Sequence, residues 1–163
     1  MAIHYIKKSP VSEGPGTPSK GAIICTASNA GLYPFPVAPL YAASKFAVVG
    51  LVRSLARPLQ REAIQINALA PAVLGKCLFS HLERRLTPPL ETNIAPSKDL
   101  FKPMILTPMS TLTRGVNQLL SDPALTGQVA EIHGNNVTLS HPPSYVDEDT
   151  GKNIETFWSL GFA

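Results

Sequence analysis

A chain of 163 residues has room for one domain with a hydrophobic core, and not for two. The net charge is only +3, and the basic residues are dispersed without interleaved aromatic residues, so no nucleic-acid partner is expected. No apolar run approaches the length that crosses a bilayer, and no secretory leader pattern opens the chain. We therefore expect a cytoplasmic protein without a membrane partner.

The first twenty residues change character along their length. Residues 2–8 are consistent with the last two turns of a helix, whereas residues 9–20 contain three Pro and two Gly. Because such a composition disfavours regular structure, we expect residues 1–20 to form a mobile N-terminal segment.

A short apolar run then predicts the first strand, at residues 22–25. Gly21 precedes the run and polar residues follow it, which is typical of a strand covered on both faces in a parallel sheet. Residues 29–39 contain three Pro and Gly31 and are predicted to form a loop. A long helix is predicted over residues 39–57, and Pro58 is expected to end or kink it.

Three side chains around this loop are suited to acid–base chemistry. Tyr41 and Lys45 are four residues apart and so share one face of the predicted helix. A phenol is a weak acid, and a nearby ammonium group favours its phenolate form. Ser28 lies at the carboxyl end of the first strand, where ligands bind in open α/β sheets.

The remainder of the chain alternates between predicted helices, strands and loops. None of the four His residues in the whole chain has the spacing of a metal-ligand set, so no metal site is expected. The predicted segments are a strand at 63–71, a lid-like region at 74–107, a helix at 108–121, a strand at 127–133 and a C-terminal tail at 140–163 with a short helix at 147–157.

Three motifs resemble the short-chain dehydrogenase/reductase family. Residues 28–31, Ser-Asn-Ala-Gly, look like the family's strand-end Ser-x-Ala-Gly. Residues 41–45 look like its Tyr-x-x-x-Lys, thirteen positions after Ser28 as in the family. Residues 66–72, Ile-Asn-Ala-Leu-Ala-Pro-Ala, look like its Val-Asn-Ala-x-x-Pro-Gly. The resemblance implies a Rossmann-type fold, here a three-layer αβα remnant with about three parallel strands in a single truncated domain.

The resemblance also implies roles for the site residues. Tyr41 would be the general acid/base, Lys45 would favour its phenolate and bind the nicotinamide ribose, and Ser28 would hold the substrate oxygen. If a nucleotide binds, Tyr41, Lys45, Pro71 and Ala72 are the expected contacts.

Other parts of the family pattern are missing. No Gly-rich turn that cradles a dinucleotide pyrophosphate occurs in the sequence. Ala72 replaces the family's Gly beside the nicotinamide, and Lys76 stands where the family usually has a Thr. These departures favour a site without a nucleotide cofactor, with NAD(P) as the alternative.

Three functions remain open at this point. The first is a cofactor-independent isomerase, cyclase or lyase that acts on a small molecule with a carbonyl or hydroxyl group. The second is an NAD(P)-dependent alcohol/carbonyl oxidoreductase completed by residues outside this chain. The third is an inactive remnant that binds a partner.

The predicted long helix carries more apolar surface than one contact can cover. A single sheet contact would leave part of it exposed, and in the family this helix packs on the sheet and on a partner subunit. The first strand is also predicted to have an unpaired edge. We therefore expect a homodimer or higher homo-oligomer, with Val49 at the contact. The apolar residues form a stripe (Leu40, Ala43, Ala47, Leu51, Leu55) widened on a second side (Phe46, Val49, Val52).

Overall fold

The computed structural model describes residues 1–12, 16–74 and 103–160. Within these ranges the chain forms four α-helices and four β-strands. In chain order they are α1 (Ala2–Ile6), β1 (Gly21–Thr26), a single 3-10 turn (Asn29–Gly31), α2 (Pro39–Arg61), β2 (Ile64–Pro71), α3 (Met109–Ser121), β3 (Val129–His133), β4 (Asn136–Ser140) and α4 (Glu148–Leu160).

The strands form one sheet in the order β1-β2-β3-β4. The first three strands are parallel, and β4 returns antiparallel to β3. The predicted α/β class and its three parallel strands are confirmed, but the sequence analysis missed β4. The signal was the Gly134-Asn135 pair, a two-residue hairpin turn, because Gly134 has the positive φ of 51° that such turns favour.

Helices cover both faces of the sheet and make the three layers. Along β2, alternate side chains point to opposite faces, as the pleat of a strand requires. Ile64 and Ile66 pack towards α2, in a cluster that also receives Ile3 and Ile6 of α1. Leu69 packs towards Leu119 of α3 in a second cluster on the opposite face. β2 is therefore the buried centre of the fold, covered on both sides.

Of the two effects expected of Pro58, an end or a kink, the first is wrong, because helix α2 does not end there. Pro58 lies inside the helix, which continues to Arg61. The proline removes one N–H, which would have bonded the carbonyl of Ser54 one turn earlier. Because Ser54 is exposed, water can hydrogen-bond this carbonyl instead. Only three residues of the helix follow Pro58, so the loss of one bond near the end is tolerated.

Several predicted segments fall wholly or partly outside the described residues. Most of the lid-like region 74–107 does, and only its ends are described, where Leu74 and Thr107 form an isolated parallel bridge. Of residues 1–20, the described part includes α1 and a hydrogen bond from the Lys20 amide to the Ala63 carbonyl. No helix in the described ranges is long and apolar enough to cross a membrane.

The C-terminal helix α4 is attached to α2 mainly through Arg57. The guanidinium donates two hydrogen bonds to the Glu155 carboxylate, at 2.7 and 2.9 Å. It also lies 4.9 Å from the ring centroid of Trp158, and the Tyr145 hydroxyl bonds Glu155 at 3.2 Å. Since no residue of α4 is buried, this polar cluster is the principal described contact that positions the helix.

Acidification is expected to release α4. Hydrogen bonds from Arg57 hold the pKa of Glu155 below its usual range. When folding lowers the pKa of a carboxyl group, its ionised form stabilises the attachment at pH values above the unfolded-state pKa. This stabilisation is lost as the pH falls through the folded-state pKa. Because the chain has one Trp, the fluorescence of Trp158 reports the change directly. We expect its emission to shift below about pH 4, the reference range of Glu.

Two substitutions on α4 make this test specific. Glu155→Gln should give the shifted Trp158 emission already at neutral pH and lose the acid transition. Glu148→Gln, at the start of the same helix, should behave as the wild type. An unchanged emission in Glu155→Gln would show that Arg57 does not hold α4.

Candidate functional site

Ser28 lies between the carboxyl ends of β1 and β2. Its side chain is buried, with 8% of its surface exposed. The hydroxyl oxygen accepts a hydrogen bond from the Ala30 amide at 3.2 Å and so caps the 3-10 turn. It lies 3.3 Å from the Asn29 Oδ1 and 3.5 Å from the Pro71 carbonyl oxygen, either of which can accept the hydrogen bond that the Ser28 O–H donates. The hydroxyl is thus fixed at the edge of the sheet where parallel strands bind ligands.

Lys45 connects helix α2 to the end of β1. Its Nζ donates a hydrogen bond to the Thr26 carbonyl at 3.1 Å, two residues before Ser28. The same Nζ lies 5.5 Å from the centroid of the Tyr41 ring, one turn earlier on α2. The rings of Tyr41 and Phe35 also pack in an edge-to-face arrangement, with centroids 6.1 Å apart. An ammonium group carries three donors, so bonding Thr26 leaves Lys45 able to bind another acceptor.

Gly31 allows the 3-10 turn to pack directly against α2. A Cβ added at this position would lie 2.7 Å from the carbonyl oxygen of Lys45, which is closer than carbon and oxygen atoms approach. The backbone there cannot shift without moving the helix. The Gly of the Ser-x-Ala-Gly motif is therefore required by close packing, and it sets the distance between the Ser28 turn and Lys45.

The structure brings the predicted residues to one edge of the sheet. Lys45 lies beside the strand that leads to Ser28, and it lies close to the ring of Tyr41. Ala72 follows β2 at the same edge, where its amide donates to the Ile132 carbonyl at 2.8 Å. Lys76, the other departure from the family pattern, lies outside the described residues.

Two contacts near the site were not foreseen from the sequence. The first is the Thr26 carbonyl as the partner of Lys45, a backbone group that carries no side-chain signal. The second is a hydrogen bond of 2.9 Å from the Tyr33 hydroxyl to Glu131, which raises the pKa of the phenol. A Tyr in a Pro-rich loop and a Glu in a strand give no pattern that pairs them 98 positions apart.

Other catalytic chemistries find less support. Cys25 is a free thiol on β1, but burial raises its pKa and so disfavours the nucleophilic thiolate. No group of three or more His, Cys, Asp or Glu suited to a metal occurs in the part of the chain that is described. The arrangement instead offers a phenol, an ammonium group and a hydroxyl around the ends of two strands, which suits proton transfer to or from a substrate oxygen.

The residues present fit one end of a nicotinamide dinucleotide. Lys45 retains free donors for a ribose hydroxyl, and Tyr41 lies beside it on the same helix face. The amide of Ala72 is already bonded to Ile132 and so gives no donor to a carboxamide. The sequence contains no Gly-rich turn for the diphosphate. The fit is thus confined to the nicotinamide ribose.

Comparison with known proteins places these features in context. The short chain dehydrogenase family model matches residues 15–83, which include all three motifs. The human 15-hydroxyprostaglandin dehydrogenase [NAD(+)] is 30% identical over 159 residues, which cover 92% of this chain and 53% of that protein. The short-chain dehydrogenase/reductase prx7 of Penicillium rubens is 40% identical over 74 residues, 45% of this chain and 24% of that protein.

A solved structure supports the fold. The 3-hydroxyacyl-CoA dehydrogenase type-2 from Mycobacterium avium superposes with a TM-score of 0.60 at 23% identity, over 87% of this chain and 50% of that one. The chain spans about half the length of the human relative it matches. Because that relative is named for NAD(+), the comparisons support the NAD(P) alternative and give no support to the cofactor-free preference.

Replacing Gly31 should disrupt the packing of the Ser28 turn against α2. Gly31→Ala places a methyl group against the Lys45 carbonyl, and overpacking of this kind destabilises by about 1–3 kcal/mol. We expect a lower unfolding midpoint in denaturant. Gly50→Ala is the matched control. Gly50 lies on α2, the helix against which Gly31 packs, and a Cβ added at Gly50 meets nothing within 4 Å. It should leave the midpoint unchanged or raise it, and equal losses in both variants would refute the packing argument.

Proposed function

Because the chain belongs to the short-chain dehydrogenase/reductase family, we propose that it carries the acid–base half of an NAD(P)-dependent alcohol/carbonyl oxidoreductase. The substrate is a small molecule with a carbonyl or hydroxyl group. The observation that carries this proposal is the position of Lys45, bonded to the Thr26 carbonyl at 3.1 Å and 5.5 Å from the Tyr41 ring. This position puts the cation beside the phenol at the end of the strand that leads to Ser28.

The proposed mechanism assigns one task to each side chain. The Ser28 hydroxyl, fixed by the Ala30 amide, donates to or accepts from the substrate oxygen. Tyr41 removes the proton of an alcohol, or returns a proton to a carbonyl oxygen that gains negative charge. The Lys45 ammonium group lowers the energy of the phenolate and of the developing oxyanion.

NAD(P) bound at this site would supply the hydride acceptor or donor for the carbon that carries the substrate oxygen. In this chain Tyr41 and Lys45 would hold its nicotinamide ribose, whereas Pro71 and Ala72, the other contacts expected from the sequence, offer no free N–H to its carboxamide. The diphosphate end needs a Gly-rich turn that this sequence does not contain, so its binding site would come from residues outside this chain.

A second candidate function is acid–base catalysis without a nucleotide. Two observations favour it, the absent Gly-rich turn and the Ala72 amide that is already bonded to Ile132. The same phenol and ammonium group can isomerise, cyclise or cleave a carbonyl compound by proton transfer alone. Turnover of a carbonyl substrate without any nucleotide would distinguish this function from oxidoreduction.

Substitution of the site residues tests the oxidoreductase proposal. With millimolar NAD⁺ or NADP⁺ and a panel of secondary alcohols, we expect turnover whose rate rises linearly with nucleotide concentration. Tyr41→Phe should lower the rate by about 10²-fold or more, within the range of general acid–base catalysis. Lys45→Met should also lower the rate, and the double variant should be slower than Tyr41→Phe by less than the loss in Lys45→Met alone, because part of the Lys45 contribution acts through Tyr41.

Controls separate loss of chemistry from loss of fold. Tyr5→Phe removes an exposed phenol from α1 and should retain full activity. The unfolding midpoint of Tyr41→Phe should match that of the wild type. Full activity in Tyr41→Phe, or strictly additive losses in the double variant, would contradict the proposed roles.

We further propose that the chain forms a homodimer through the exposed apolar stripe of α2. Leu40 and Leu51 on this stripe are 87% and 54% exposed, and Ala43 and Ala47 between them are exposed as well. β1 ends the sheet, with only β2 beside it among the described strands. Both features leave apolar surface or backbone groups without a cover. Val49, which was expected at the contact, is instead 4% exposed and packs in the core of one chain.

Charge on the exposed stripe should separate the subunits without unfolding them. Leu51→Asp is expected to shift the mass measured by light scattering at micromolar concentration from dimer to monomer, because a carboxylate in an apolar contact is unpaired. Leu120→Asp changes a 48% exposed Leu on α3, on the opposite side of the sheet, and should remain dimeric. A wild-type chain that is monodisperse and monomeric would refute the proposal.

A further inference from the structure

A cavity of about 290 Å³ lies between α2 and the segment that follows β4. Phe46, Val49 and Arg53 of α2 line one wall, and Ser140, His141 and Pro143 line another part. None of the lining residues is Ser28, Tyr41 or Lys45. The cavity is therefore lined separately from the proposed catalytic residues, along a neighbouring face of the same helix.

The charged group in this cavity is the Arg53 guanidinium. Its Nη2 donates to the backbone carbonyls of Ser140 and His141, at 3.2 and 3.1 Å. Its Nε is buried and has no hydrogen-bond acceptor in the described residues. Burial lowers the pKa of Arg53, yet a guanidinium remains charged at neutral pH. Arg53 thus brings a positive charge and unused donors to the cavity.

No described side chain in the lining balances this charge. The lining contains neither Asp nor Glu, and the Glu131 carboxylate accepts a hydrogen bond from the hydroxyl of Tyr33, a lining residue. A buried donor without an acceptor costs about 1–3 kcal/mol, so an acceptor supplied by a ligand is favoured. Because Nη2 already donates to two carbonyls, the Nε and Nη1 donors remain for a carboxylate, and a charge-assisted hydrogen bond from either is stronger than one between neutral groups.

Much of the remaining wall is apolar. Leu32, Phe46, Val49 and Pro143 present hydrocarbon surface beside the single guanidinium. One positive charge against an apolar wall matches a monoanion with a hydrocarbon chain better than it matches a dianionic phosphate. At roughly 30 Å³ for each water-sized group, a cavity of this volume holds on the order of ten non-hydrogen atoms.

We propose that this cavity binds a small amphiphilic carboxylate of about the size of octanoate. The carboxylate contacts Arg53, and the hydrocarbon chain packs against Leu32, Phe46 and Val49. The site is independent of the proposed oxidoreductase function, because it uses none of the three catalytic residues.

Calorimetric titration with octanoate and with octan-1-ol tests this site. The two molecules share a hydrocarbon chain and differ in charge, so the guanidinium should bind octanoate about tenfold more tightly, a charge-assisted difference. Arg53→Gln should reduce the affinity for octanoate to that for octanol and leave the affinity for octanol unchanged. Arg61→Gln removes an exposed charge from the last turn of α2 and should change neither.

A second variant keeps the test decisive if Arg53→Gln fails to fold. Phe46 is 46% exposed, so the Phe46→Ala variant should fold. It should bind octanoate and octanol more weakly than the wild type does, by the same factor for each. Three results would overturn the proposal. These are equal affinity for octanoate and octanol, an equal loss in Arg61→Gln, and unchanged binding of both molecules in Phe46→Ala.

Discussion

The hydrogen bond from Lys45 to the Thr26 carbonyl is the interaction on which the arrangement of the site depends. It fastens α2 to the end of β1, where the chain leaves the sheet and enters the turn that carries Ser28. Gly31 completes the attachment, because only a residue without a Cβ fits against the Lys45 carbonyl. One lysine thus serves two purposes, since it positions the turn and places a positive charge near Tyr41.

The sequence was sufficient to predict the centre of the fold and less so its periphery. Nearly all of β2 is buried, as in a parallel strand covered on both faces, whereas β1, which was also expected to be covered on both faces, lies at the sheet edge and is only half-buried. β4 lies at the edge of the sheet and has exposed and half-buried residues only, so its hydrophobic pattern is weak. The Gly134-Asn135 turn is the one sequence signal that indicates this strand. Pro58 does not end α2 because its effect depends on its position in the helix. A proline near the end of a helix removes one backbone hydrogen bond, at little cost to the helix.

The side chains of the candidate site could be predicted from the sequence, but several of their contacts could not. Ser28, Tyr41 and Lys45 were chosen for their chemistry and spacing, and the structure places Lys45 beside both Tyr41 and the β1 end. Contacts that pair distant or backbone groups, such as Arg53 with the Ser140 carbonyl, carry no local signal. The exposed stripe of α2 was recognised as apolar, but periodicity alone did not decide which of its two sides faces the core. The structure assigns Val49 to the core and Leu51 to the surface.

We propose that this chain carries the acid–base half of a dehydrogenase site but not the half that holds the nucleotide diphosphate. Calorimetric titration of the purified chain with NADH and with NADPH tests it most directly. Because only the nicotinamide end finds partners, we expect dissociation constants of about 1 mM or weaker, equivalent to roughly 4 kcal/mol of binding free energy. Micromolar affinity for either nucleotide would contradict the claim, because it would require a diphosphate site within these 163 residues.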